Sequence, residues 1–327
     1  MSFYGDLAKA GINVEGSAIK IPGLGQAIGR GNVFYLDGTH GSASYNARDP
    51  KQAALTLSGV LDKVTTLNND VIYVMAESTS IGQTAKVTMD ESLTHIVGVG
   101  AFTRMNQRSR FGHSANFATM LDVTGYGNSF HNLYFMYGRG SATNTNLLTV
   151  TGNRNSFYNC HFGGPMHATE GATATFNLVN ILGTENYFER CTFGISTIAV
   201  TAALNLVQFA GSGYDPRTIF RDCLFIMQAS TGAASAVFLK TTSGVGEAFI
   251  IFEGDTKFIN MGSQALTLAF DGAGTGAQKI FFGTPPLIVG ATDVIAAAYE
   301  GNVYFPGAAY TAAATGNGLA VNADHTA

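Results

Sequence analysis

The amino-acid sequence predicts an all-β solenoid built from short strands. A block recurs three times nearly unchanged and a fourth time in decayed form: Met120 to Phe135, Leu147 to Phe162, Leu178 to Phe193, and Leu206 to Phe225 with an insertion. The equivalent phenylalanines Phe130, Phe157, Phe188 and Phe220 lie 27 to 32 residues apart, a period that signals stacked repeats. A unit this short cannot bury its apolar face alone and has to pack on its neighbours. Within each copy, alternation of the Leu-x-Val type gives a strand with one buried face, and the alternation then slips by one residue at Asn132, Asn159, Arg190 and Asp222. In a continuous strand such a slip would turn every later side chain to the wrong face, so the chain has to bend there. Composition agrees, since 40 Gly and only 12% charged residues disfavour a helical solenoid.

Taken from the N-terminus, residues 1–45 show no sustained period. Gly11, Gly16, Gly23, Gly25, Gly29 and Gly31 punctuate short apolar runs, and the stretch reads as an extended arm. Ser2 to Val14 carries Asp6 and no continuous apolar core, which is not the pattern of a signal peptide. Asp49-Pro50-Lys51-Gln52 opens an amphipathic helix expected to reach Lys63, with Ala54, Leu55, Leu57, Val60 and Leu61 as its apolar stripe. Asp70 to Val74 and Leu93 to Gly100 read as the first strands of the coil.

Gly125, Gly152 and Gly183 mark the first corner of each copy, where a backbone without Cβ is useful. Stacking in register sets inward ladders: Leu121, Leu148, Val179 and Val207; Val123, Val150, Ile181 and Phe209; and Phe135, Phe162, Phe193 and Phe225. Cys160, Cys191 and Cys223 share one slot, held by Leu133 in the preceding copy. They are therefore expected to be buried, reduced thiols acting as small hydrophobes. Ala308 to Ala327, rich in Ala, Thr, Gly and Asn, reads as a tail. The organisation expected is an arm over 1–45, a coil over 46–305 and a tail over 306–327, with no window long enough for a membrane-spanning helix.

The repeat with its bend, the helix before the first strands and the Gly98-x-Gly100 corner together resemble the pectin-lyase-like families. The resemblance covers residues 46 to about 305. It implies a single-stranded, right-handed parallel β-helix whose N-terminal helix caps the open end, and it says little about chemistry.

A catalytic reading needs carboxylates gathered on one outer face, as a pair for acid and base work or as a cluster for calcium. The outward ladder of the first strand is Asp122, Thr149, Asn180 and Gln208, with one carboxylate in four. Glu189 against Arg221 and Arg190 against Asp222 read as cross-strand ion pairs. The weak catalytic candidates are Glu247, Glu253 and Asp255, with Asp271 as a neighbour. His161 and His167 read as outward or loop histidines without a third ligand, so neither a metal nor a cofactor is expected. Gly23-x-Gly25 and Gly98-x-Gly100 do not complete a nucleotide-binding fingerprint. A net charge of −4 offers no basic stripe to nucleic acid, and the absence of Trp removes the most common sugar-stacking residue, although 13 Tyr remain.

The texture of the whole chain, with abundant Ala, Gly, Thr, Asn and Ser, resembles tailed-phage virion proteins, most of all the tailspike-like β-helical trimers that decorate or cement capsids. That resemblance implies a non-enzymatic capsid decoration protein, a homotrimer assembled in the host cytoplasm and placed on the capsid surface of the virion. Its arm would contact the major capsid protein, with no nucleic acid or membrane as partner and a glycan contact at the outer surface left open. The alternative is a receptor-binding tailspike with polysaccharide depolymerase activity, which would need paired carboxylates in a cleft between subunits. A free pectate-lyase-like enzyme comes third, disfavoured by the lack of an acidic calcium cluster and of a signal peptide.

Overall fold

A computed structural model describes residues 31–306, except 78, 101–103, 106, 144, 175, 212–214, 243, 246–247, 273–278 and 297–301, together with the backbone of five short strands nearer the termini. The chain winds into three parallel sheets. One turn places Thr119–Val123 in the first sheet, Ser129–His131 in the second and Tyr134–Met136 in the third. The next turn repeats this with Asn146–Val150, Ser156–Tyr158 and His161–Gly163. Among the described residues the first sheet has seven strands, the second eleven and the third nine. Successive turns pair in parallel, Leu121 with Leu148, Phe130 with Phe157 and Phe135 with Phe162. This is the right-handed parallel β-helix expected from the sequence.

The bend between the second and third sheets is made by one residue in the left-handed region. Asn132, Asn159, Arg190 and Asp222 have φ of 56, 51, 53 and 52°, so the slip read in the sequence is a corner. Asn tolerates this backbone through local hydrogen bonds. Here the Nδ2 of Asn159 donates to Oδ1 of Asn132 at 3.0 Å, and the Nδ2 of Asn132 donates to the Gly98 carbonyl at 2.9 Å. The residue after each bend points inward, which buries Leu133, Cys160, Cys191 and Cys223. Each thiol donates to the carbonyl of a core phenylalanine, Phe130, Phe157 or Phe188, at 3.5, 3.3 and 3.5 Å. Burial pushes the Cys191 thiol far up, which keeps it protonated.

The corner between the first and second sheets is held differently. A Cβ on Gly152 would lie 1.9 Å from the Gly125 carbonyl oxygen, so close approach of successive turns is what requires glycine there. Three buried asparagines, Asn128, Asn155 and Asn186, bridge the turns beside it. The Nδ2 of Asn155 donates to the Gly125 carbonyl at 3.0 Å, its Oδ1 accepts from the Asn128 N–H at 3.0 Å, and its own N–H donates to Oδ1 of Asn186 at 2.9 Å. This ladder satisfies backbone groups that the turn would otherwise bury unpaired.

Two ladders of phenylalanine fill the interior. Phe130, Phe157, Phe188, Phe220, Phe252 and Phe282 stack face to face with centroid spacings of 4.6, 4.7, 5.1, 5.3 and 5.0 Å. Phe111, Phe135, Phe162, Phe193, Phe225 and Phe258 form the second column, which meets the first edge-on, as in the 5.6 Å contact of Phe188 with Phe193. Burial of each ring contributes about 1.5 to 3 kcal/mol, and each aromatic pair adds about 0.5 to 1.5 kcal/mol.

Three details depart from the sequence reading. The single helix expected over Asp49 to Lys63 is a short turn, Pro50–Gln52, followed by helix α1, Leu57–Leu61. Ala53 is extended between them and Ala54 bridges to Leu36, so the chain lends a residue to the sheet before Thr56 caps α1. Leu57, Val60 and Leu61 are buried, as the apolar stripe requires. Within the stretch read as arm, Val33–Leu36 alternates Phe34 and Leu36 inward and forms a strand of the second sheet beside Val71–Val74. Within the stretch read as tail, Ala308–Ala309 and Ala320–Asn322 pair with the second and third sheets.

The stacking also buries histidines on the outer faces. His161, expected to be outward or in a loop, lies on the outer side of the third sheet but is only 2% exposed. It stacks on Tyr134 at 4.1 Å, and its Nε2 donates to the Gly194 carbonyl at 2.9 Å. On the second sheet the Ser129 hydroxyl lies 2.6 Å from Nδ1 of His95 and 2.9 Å from Nε2 of His131. One hydroxyl donates to one ring and accepts from the other, so the ring that accepts has to be neutral. Desolvation lowers His161 to about 4, and desolvation with the nearby His95 does the same to His131.

Two outcomes are expected. Phe188→Ala, which opens a gap in the first aromatic column and removes its edge contacts with Phe162 and Phe193 of the second, should lower stability by about 3 to 5 kcal/mol, read from chemical denaturation of the intact chain. Between pH 6.5 and about 4 the unfolded chain binds more protons than the folded one, because folding lowers these histidine values, so stability should fall on acidification through that window and level off below it. Denaturation midpoints measured across the range should show a flatter profile for His131→Gln than for the unaltered protein.

Candidate functional site

The outer face of the first sheet carries one side chain per turn at fixed register: Thr88, Asp122, Thr149, Asn180, Gln208, Lys240 and Asp271. With strands about 4.8 Å apart, the row spans roughly 29 Å. A second row runs beside it, Thr119, Asn146, Asn177 and Asn205. Its amides are linked turn to turn, with Nδ2 of Asn205 donating to Oδ1 of Asn177 at 2.7 Å and, more loosely, to Oε1 of Gln208 at 3.4 Å. The middle of the face is thus neutral, hydroxyl- and amide-lined, and half-buried.

Charges close the row at both ends. The Nζ of Lys86 lies 3.3 Å from Oδ2 of Asp122, and the Nζ of Lys240 lies 3.1 Å from Oδ2 of Asp271. Two acceptors on this face, Oδ1 of Asp122 and Oδ1 of Asn180, are buried and have no hydrogen-bond partner among the described residues. A buried acceptor left so costs about 1 to 3 kcal/mol.

The connections from the third sheet to the first stand beside this face and are pinned by Glu170. Its carboxylate is fully buried in helix α2, Ala168–Gly171, and Oε1 accepts from the backbone N–H groups of Arg139, Gly140 and Ser141 at 2.8, 2.8 and 2.9 Å. Gly140 takes φ +81° to turn its N–H toward the carboxylate. His167 is the N-cap of α2, its Nδ1 accepting from the Thr169 N–H at 3.1 Å.

The predicted candidates do not converge. Glu247 lies outside the described residues. Glu253 points outward from the second sheet, in register with Arg221, and Asp255 is exposed at the following corner with the Lys257 ammonium at 2.6 Å. Asp271 alone of the described candidates reaches the first sheet, because strand Phe249–Glu253 and strand Phe270–Gly272 belong to different sheets of the coil. Glu189 and Arg221 are in register as expected, while ion pairs within 4 Å run along the chain, Glu189 to Arg190 at 3.5 Å and Arg221 to Asp222 at 3.9 Å.

One acidic pair has no signature in the sequence. Asp37 and Glu77 face each other at the start of the coil. Burial pushes the Glu77 carboxyl up, while N–H donors from His40 and Thr39 hold Asp37 down. Thr39 Oγ1 also donates to Oε2 of Glu77 at 2.5 Å, and the group ties the loop after Val33–Leu36 to the strand end after Val71–Val74. Among the described residues no cluster of three His, Cys, Asp or Glu could hold a metal ion.

No family model matches this chain, and no curated protein is similar to it. Solved structures with a similar coil include pectate lyase Pel9A, at 11% identity over 84% of this chain and 78% of that one with a TM-score of 0.45. Pectin methylesterase PemA from Erwinia chrysanthemi aligns at 10% identity over 83% and 80% with a TM-score of 0.40. The GH136 lacto-N-biosidase from Eubacterium ramulus aligns at 10% over 84% and 68% with a TM-score of 0.24. The likeness is one of fold. None of the comparisons ties the chain to virion proteins, and the expectation of a non-enzymatic phage capsid decoration protein is withdrawn.

Proposed function

We propose that this chain acts on a carbohydrate polymer laid lengthwise along the outer face of the first sheet. The observation that carries the reading is the pair of buried, unpartnered acceptors, Oδ1 of Asp122 and Oδ1 of Asn180, two turns apart on one straight polar row. Sugar hydroxyls supply the donors these atoms lack, and the amides and hydroxyls around them can both give and receive hydrogen bonds. The spacing of the turns is close to the length of one pyranose unit in an extended chain, so successive sugars meet successive side chains.

Cleavage is assigned to Asp122. It is the carboxylate at the end of the neutral stretch, with the Lys86 ammonium 3.3 Å from Oδ2; at Oδ2 it takes a proton from an attacking water while the glycosidic C–O bond breaks and Lys86 gives a proton to the departing oxygen. Asn180 and Gln208 position the polymer. Stacking platforms are not needed for this mode of binding, which fits a chain without Trp.

The test is to incubate the full-length chain with a panel of neutral and uronic-acid polysaccharides and to follow new chain ends. With the polymer that is cut, Asp122→Asn should lower turnover about 10²- to 10⁴-fold while binding persists, and Asn180→Leu should weaken binding about three- to tenfold. Absence of both binding and cleavage across the panel, or full activity of Asp122→Asn, would overturn the proposal.

A further inference from the structure

The outer face of the second sheet differs in kind from that of the first. Its central row on consecutive turns is Tyr187, Ile219, Ile251, Phe281 and Tyr304, with Phe249 beside it. Phe249 stacks on Phe281 at 5.9 Å, and Phe281 on Tyr304 at 4.9 Å, so the rings form an outward aromatic stripe. A hollow of about 490 Å³ opens in this stripe, lined by Tyr187, Ile219, Phe249 and Ile251 with Glu185 and Arg217 at its edge. A contiguous apolar face of this sort on a protein surface marks a contact site.

Charges line both edges and alternate in sign from turn to turn. One edge carries Arg154, Glu185 and Arg217, with Arg154 2.5 Å and Arg217 3.9 Å from Glu185. The other carries Glu189, Arg221 and Glu253 in strict register. On the turn of strand Asn186–Glu189 both edges are therefore negative, and on the next turn, Arg217–Arg221, both are positive.

We infer that this face is an interface with a second copy of the same chain, with the two coils running antiparallel about a two-fold axis between strands Asn186–Glu189 and Arg217–Arg221. The axis lies along the strand direction, so each turn faces the turn equally far on the other side. Glu185 then meets the second copy's Arg217, Glu189 meets its Arg221, and Tyr187 stands over its Ile219 in the hollow. One turn further out, Arg154 meets the ring of Phe249, a cation over an aromatic face.

Copies packed in parallel at equal height fare worse. They set Glu185 against Glu189 and Arg217 against Arg221, and three parallel coils around one axis bring the same edges together. Like charges set directly opposite are unfavourable, whereas exposed opposite pairs are each worth little, so the charges select orientation and the apolar stripe supplies affinity. This inference concerns the second sheet and does not depend on the carbohydrate reading of the first.

The experiment is analytical ultracentrifugation of the full-length chain over a wide concentration range, with spin labels placed at Ser58→Cys in helix α1. A dimer is expected, dissociated by Ile219→Arg without loss of the folded-state circular dichroism spectrum. Phe249→Asp serves as the second variant should Ile219→Arg fail to fold. Ser58 lies near the N-terminal end of the coil, so antiparallel copies hold the two labels at least seven turns, about 34 Å, apart along the coil axis, whereas parallel copies hold them at one height. A monomer at every concentration, a trimer, an assembly indifferent to both variants, or labels at one height would each overturn the inference.

Discussion

In-register stacking of one turn on the next governs everything else in this molecule. Each turn hydrogen-bonds to the turns above and below it through three sheets, so a residue's neighbours are its own equivalents in the adjacent copies. Inside the coil this favours rings that stack on their own kind, and the two phenylalanine columns are the result. At the corners it favours residues that can hydrogen-bond to copies of themselves. Asn128, Asn155 and Asn186 do so through amide and backbone, and Asn132 and Asn159 do so at the left-handed bend. The core is therefore dry and self-similar, and a defect in one turn is felt by its two neighbours before anything else.

This regularity explains what the sequence disclosed and what it did not. Phe130, Phe157, Phe188 and Phe220 align in the sequence because the same geometric demand recurs at the same place in every turn. The one-residue slip at Asn132, Asn159, Arg190 and Asp222 was readable for the same reason, since burial on both sides of it forces the bend whatever residue stands there. The asparagines at the other corner were not recognised, because an Asn before a strand reads as ordinary turn chemistry until the turn above it supplies the partner.

Helix α1 is shorter than its apolar stripe suggests, because periodicity does not reveal that Ala53 is extended and that Ala54 bridges to Leu36. Outer-face residues were the hardest to place. Glu253 and Asp271 are close enough in sequence to suggest one acidic cluster, yet the chain passes through the third sheet at Lys257–Asn260 between them, which puts them on different sheets. Asp122 and Asn180 were seen as an outward ladder, but that their oxygens are buried without donors depends on the loops and neighbouring amides, which no spacing records.

A coil of this kind also separates its surfaces. The same turn that offers Asn180 on the first sheet offers Tyr187 on the second, with Gly183 and the buried Asn186 between them. Because the interior is a rigid stack of rings, a change of side chain on one outer face does not have to be accommodated by the other. The first face can thus keep polar atoms whose partners come from outside, while the second keeps aromatic surface that water disfavours. Both are linear arrays with the period of the turns, so each suits an extended occupant that repeats: a polymer of similar units in one case, and another coil with the same spacing in the other. What distinguishes the two occupants is chemistry alone, since a polar row with two unpaired acceptors calls for hydroxyl donors and a striped apolar row with alternating charges is complemented by its own inverse.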